Sequence, residues 1–132
     1  MTRINLINPA ELVDQHLIAE YRELPRIFGA IRKKLKNNKE IKVGKEYKMG
    51  IGHVIFFYDK LGFLEKRYYE IVKECKKRGF NIKFDSINLS DVPKKYKKDF
   101  FPSPKDIRIS ESRIKEKLKS KKGFYKMRGK II

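Results

Sequence analysis

Two positions near the start of the chain carry the residue types that covalent chemistry needs. Thr2 follows Met1. Removal of an initiator methionine requires a small second residue, so Thr2 reads as the first residue of a processed chain. Such an α-amine has a pKa of about 7.7–8.0, against about 10.4 for a lysine. At pH 7 roughly a tenth of it carries a free lone pair, on the order of a few hundred times the lysine fraction. It is a nucleophile that needs no buried lysine. The same small residue also stands at many termini that do no chemistry.

Glu23 is the second position. It lies in Tyr21-Arg22-Glu23-Leu24-Pro25-Arg26, beside two arginines four apart that share one helical face. On a surface built for phosphate a carboxylate costs affinity. It either moves protons and steadies a cationic transition state, or forms a surface ion pair with Arg22 or Arg26 worth about 0–1 kcal/mol. Spacing alone favours the ion pair.

Arg3, Arg22, Arg26, Arg113 and Lys117 are candidate phosphate contacts, because a guanidinium fork suits phosphate oxygens. Any one of them reads equally as part of a solvated face. Phe124 and Tyr125 stand between Lys121, Lys122 and Lys126. That aromatic-basic cluster either stacks on bases or fastens the tail to the core. His16 and His53 are far apart in sequence and the single cysteine is Cys75, so no metal-ligand spacing exists and no cofactor is implied. One cysteine also excludes an internal disulfide framework.

Three helices must position these groups. Leu17, Tyr21, Leu24, Phe28, Ile31 and Leu35 step by 4, 3, 4, 3, 4, one buried helical face, with Asp14 as N-cap and Asn37-Asn38 as the end. Pro25 lies inside this helix and should bend it. Leu61, Leu64, Tyr68, Ile71 and Cys75 define a second helix. Lys76, Lys77 and Arg78 fill its last turn and Gly79 suits the left-handed position beyond it. A shorter third helix runs from about Ile107 to Lys119, with Ile107, Ile114 and Leu118 on one side and Arg113 and Lys117 on another. Residues 38–60 and 86–105 read as irregular loops, with a short strand at Val54–Phe57 left open. The expected fold is all-α, a compact single domain of three helices with long irregular loops over residues 1–132.

The charge names the class of partner. Lys and Arg number 34 against 16 Asp and Glu, a net charge of +18, yet 40% of the chain is hydrophobic, enough for a real core. The excess is uneven: residues 1–30 hold three basic and four acidic side chains, residues 94–132 fifteen and four. A polyanion, most simply nucleic acid, is the expected partner. The near-neutral first thirty residues are where chemistry is expected. The longest largely apolar run, Ile51–Tyr58, has eight residues, far short of the about 20 that a membrane span needs. The N-terminus lacks a secretory h-region, so a cytoplasmic chain is expected.

The start Met1-Thr2-Arg3-Ile4-Asn5-Leu6, the stretches DQHLIAEYRELPRIFGAIRK (14–33), GHVIFFYDKLGFLEKR (52–67) and ECKKRGFNIK (74–83), then SRIKEK (112–117) and FYKMRGK (124–130), occur in an order that resembles one family. It is the pyrimidine-dimer DNA glycosylase/abasic-site lyase family of phage endonuclease V type. About residues 36–50 and 84–106 match it poorly. The resemblance implies that the Thr2 α-amine attacks the sugar C1′ of a damaged nucleotide in duplex DNA. The base leaves, a Schiff base forms, and β-elimination breaks the strand. It implies that Glu23 stabilises the cationic sugar and moves protons. Arg3, Arg22 and Arg26 would contact DNA, with Gln15 and His16 lining the same face and Arg113 and Lys117 adding basic contacts from the third helix. Phe124, Tyr125 and Lys126 would belong to the lesion-recognising tail, and the chain would act as a monomer on pyrimidine dimers and abasic sites. The family flips a base out of the duplex and kinks it. The tail departs from the family's prototype, which has a tryptophan where Phe124 stands and two tyrosines where Met127 and Arg128 stand. Relatives also accept ring-opened purines.

Overall fold

The computed structural model describes residues 4–132. Helix α1 spans Asp14–Lys36, α2 His53–Phe56, α3 Leu61–Lys77 and α4 Pro104–Ser120, with strands β1 at Lys126–Met127 and β2 at Lys130–Ile131. The fold is all-α, as expected, but the described residues hold four α-helices rather than three, together with one small hairpin. Three single turns of 3-10 helix, at Pro9–Glu11, Phe57–Asp59 and Lys94–Tyr96, punctuate the connections.

Helices α1 and α3 pack together to form the core. From α1, Leu17, Leu24, Phe28 and Ile31 are buried, while Tyr21 and Leu35 pack half-buried at its edge. All five apolar residues read onto the second helix, Leu61, Leu64, Tyr68, Ile71 and Cys75, are buried. Asp14 is not the cap of α1 but its first residue, following Val13. Its carboxylate is used elsewhere, accepting from Arg78 Nη1 at 2.9 Å. Pro25 sits inside α1 without ending it. Helix α3 closes as its sequence implies. Gly79 has φ +81°, and Phe80 N–H donates to Cys75 O at 3.0 Å, the bond that satisfies a helix's orphan carbonyl beyond a left-handed residue.

The stretch left open as a strand is a helical turn. Gly50 and Gly52, at φ +76° and +89°, swing the chain round so that His53 N–H bonds Gly50 O and Phe56 N–H bonds Gly52 O. The third predicted helix begins three residues earlier than its apolar spacing shows. Ser103 and Asp106 form a reciprocal capping box and Pro104 fills the first helical position. Of α4 only Ser110 is buried, so this helix lies on the surface of the core. Arg128 (φ 51°) and Gly129 (φ 84°) make the two-residue turn of the tail hairpin, pairing Met127 with Lys130.

The long loops are tied to the helices by tyrosine hydroxyls. Tyr21 OH donates to Phe84 O at 2.6 Å and accepts from Phe84 N–H, and Tyr68 OH donates to the same carbonyl. Gly62 lets another loop approach closely, since a Cβ there would meet Lys97 O at 2.5 Å. No helix among the described residues is long and apolar enough to cross a membrane.

Candidate active site and nucleic-acid interface

A second line of residues runs along α1, one step from its apolar stripe. His16, Glu20, Glu23 and Ile27 step by 4, 3, 4 and so share a face. The middle of this line rests on a buried polar knot. Glu20, Asn5 and Arg67 are 1%, 0% and 6% exposed. Arg67 donates through Nε to Glu20 Oε2 and through Nη2 to Glu20 Oε1 and Asn5 Oδ1, both at 3.0 Å. Asn5 Nδ2 donates to Glu20 Oε1 at 2.8 Å, and Arg67 Nη1 to Ile7 O at 3.0 Å. Burial raises the Glu20 carboxyl's pKa, while the guanidinium beside it acts in the opposite sense. The knot fixes the segment around Asn5 against α1 and α3.

One turn further along α1, Glu23 and Arg26 line a small cleft with Ile4, Ile27, His53 and Val54. Thr2 and Arg3, expected to supply the nucleophile and a phosphate contact, lie outside the described residues. Ile4, the first described residue, forms one wall of the cleft. Among the described residues no ion pair joins Glu23 to Arg22 or Arg26. The surface ion pair favoured from spacing is therefore not made, and Glu23 is half-buried and faces the cleft. Arg22 is exposed and lines a neighbouring groove with Arg32, the rings of Tyr21, Tyr68 and Phe84, and Pro25.

His16 occupies the other end of the line. It is buried with its ring 4.8 Å from that of Tyr125. Burial lowers its pKa to about 4, with the positive charge of Lys117 acting in the same direction, so the imidazole is neutral near pH 7. Its Nδ1 is buried without a hydrogen-bond partner among the described residues. Gln15 Nε2 donates to Phe124 O at 2.9 Å, and Gln15 Oε1 accepts from Lys126 N–H at 3.0 Å.

The two aromatic neighbours sit differently. Tyr125 is buried against His16 and fastens the tail, whereas Phe124 is half-exposed with Lys121 Nζ 5.0 Å from its ring centre. Lys126 is exposed. Arg128 brings Nη2 within 3.8 Å of Glu74. On α4, Arg113 lies 3.6 Å from Glu116 and lines a shallow basic groove with Lys105 and Arg108. Among the described residues no group of three His, Cys, Asp or Glu is placed to hold a metal ion.

Two residues whose part sequence reasoning missed hold Ile4 at the cleft. His53 Nε2 accepts from Ile4 N–H at 3.1 Å, and Nδ1 lies 2.8 Å from Lys48 O. Tyr47 OH donates to Ile4 O at 3.0 Å. The signal for His53 was its place in an apolar run, since a histidine buried there must find polar partners. Tyr47 carried no comparable signal. The family model described as pyrimidine dimer DNA glycosylase matches residues 1–88, which include α1 to α3 and every residue lining the Glu23 cleft.

Proposed function

The chain belongs to the pyrimidine dimer DNA glycosylase family, and on that premise we propose that it excises cyclobutane pyrimidine dimers from duplex DNA and then cuts the strand at the abasic site. The nucleophile is the Thr2 α-amine. Its lone pair forms a bond to C1′ of the damaged nucleotide while the glycosidic bond breaks, that bond's electron pair going to the departing base and the attacking nitrogen losing a proton. Opening of the sugar gives a Schiff base. Loss of a C2′ proton then expels the 3′ phosphate by β-elimination, and water releases the amine.

Glu23 steadies the positive charge at C1′ and takes the C2′ proton. The observation that carries this reading is the cleft itself. A carboxylate with no ion-pair partner among the described residues lines a pocket together with Ile4, two residues from Thr2 in the chain. Arg22, Arg26, Arg113, Lys117 and Lys126, together with Arg3, hold the backbone of the kinked duplex, acting as a monomer. Phe124 stacks at the lesion. The Nδ1 of the neutral His16, without a hydrogen-bond partner among the described residues, and the amide of Gln15 lie on the same side of α1 as the tail.

Cleavage of a duplex bearing a single dimer tests this. Glu23→Gln should bind that duplex about as tightly as the parent chain and fail to cut it. Retained cutting would make Glu23 a bystander. A parallel assay on ring-opened purines decides the alternative lesion preference that the altered tail leaves open.

A further inference from the structure

We propose that Tyr47 and His53 are positioning residues, gripping the backbone of Ile4 from its two sides and so fixing, at the wall of the Glu23 cleft, the point to which the chain's α-amine is tethered. This rests on the α-amine reading above. Chain starts are poorly ordered unless tied down, and here the ties are dense. Ile4 has both backbone groups held by side chains, its N–H by His53 Nε2 at 3.1 Å and its carbonyl by Tyr47 OH at 3.0 Å. Leu6 N–H donates to Ser110 Oγ at 2.9 Å, and Ile7 N–H to Asn5 Oδ1 at 3.1 Å.

The two grips are themselves fixed. With Lys48 O accepting from Nδ1–H at 2.8 Å, His53 is held as the neutral tautomer whose Nε2 can accept. Tyr47 OH also lies 2.6 Å from Ser110 Oγ, which ties it to α4. The Tyr47 and His53 rings meet edge to face, with centroids 5.6 Å apart. Burial pushes the Tyr47 hydroxyl up to about 12, so it stays a donor through the neutral range. Both side chains are almost wholly buried, yet a core needs neither a phenol oxygen nor an imidazole nitrogen aimed at the same residue.

The consequence for chemistry follows from reach. Each residue extends the chain by at most about 3.3–3.6 Å, so only the few torsions of Thr2 and Arg3 separate the gripped peptide from the amine. A shift of Ile4 moves the point from which those two residues extend. Misplacement of a reacting group by about 1 Å can cost as much as 10²-fold in rate. Neither Tyr47 nor His53 is assigned contact with the reacting atoms, so neither is a catalytic residue.

Borohydride trapping on an abasic-site duplex under single-turnover conditions tests the grip, with the Kd for the same duplex and the Tm measured beside it. Tyr47→Phe removes one oxygen. It should slow trapping roughly tenfold while changing Kd by less than about twofold, a split that a merely structural role would not produce. His53→Leu should slow trapping likewise, and His53→Gln, whose amide oxygen can accept from Ile4 N–H, should recover part of that loss at a similar Tm. This pair keeps the proposal open to refutation should Tyr47→Phe fail to fold. Trapping by folded Tyr47→Phe at the parent rate overturns the grip and leaves the proposed function standing, as does His53→Gln faring no better than His53→Leu. A parent-chain adduct on a lysine overturns the proposed nucleophile and the grip with it.

Discussion

The side-chain amide of Gln15 brackets Tyr125, donating to the carbonyl before it at 2.9 Å and accepting from the N–H after it at 3.0 Å. Its neighbour Asp14 continues the strap, accepting from Arg128 N–H at 2.9 Å and Gly129 N–H at 2.7 Å. The first turn of α1 therefore holds the tail, and through it the half-exposed ring of Phe124.

Gln15→Ala should loosen the tail without unfolding the domain. Two partly exposed hydrogen bonds at about 1 kcal/mol each correspond to roughly tenfold or more faster amide exchange at Lys126. Affinity for dimer-bearing DNA should fall if Phe124 reads the lesion. Exchange at Lys126 equal to that of the parent chain would show that the strap contributes nothing.

His16 makes stability depend on pH in a defined window. Its pKa is lowered from an unfolded value near 6.5 to about 4, so between those values the unfolded chain binds more protons than the folded one. Stability should therefore rise with pH across that window and fall as pH drops through it. Chemical denaturation at pH 4.5 and 7 should show the parent chain losing more stability on acidification than His16→Gln, by on the order of 1 kcal/mol or more. Equal losses would contradict the assignment.

The Glu20–Arg67 pair is expected to be costly to break and cheap to remove whole. Arg67→Met leaves a buried carboxylate without its cation and should destabilise the fold by about 3–5 kcal/mol. The double variant Arg67→Met with Glu20→Leu should regain much of that loss, short of Asn5's lost partners. Urea denaturation of the two proteins checks the ordering, and a double variant less stable than the single one would contradict it.

Much of this was legible in the sequence because helices α1 and α3 are amphipathic over many turns. Leu17 to Ile31 and Leu61 to Cys75 bury the stripes their spacing implies, and Gly79 takes the left-handed conformation expected of it. Helix α2 was not legible, because four residues are too few to establish a period and the glycines that start it look the same before a turn or a strand. The start of α4 was marked by Ser103, Pro104 and Asp106 rather than by apolar spacing. At the site, Glu23 could be picked out by charge, but its lack of an ion-pair partner among the described residues depends on side-chain directions that spacing does not fix. Arg67, Tyr47 and His53 come from distant segments and meet the segment around Ile4 and Asn5 only once the chain is folded.

The most direct measurement is the residue that carries the covalent adduct. When the chain with Met1 removed is mixed with abasic-site duplex and sodium borohydride, the reduced Schiff base freezes the nucleophile to the sugar. Peptide mass mapping should place the adduct on the α-amine of Thr2, and extending the chain by a residue before Thr2 should abolish it. An adduct on a lysine, or none under conditions where the strand is cut, would contradict the account.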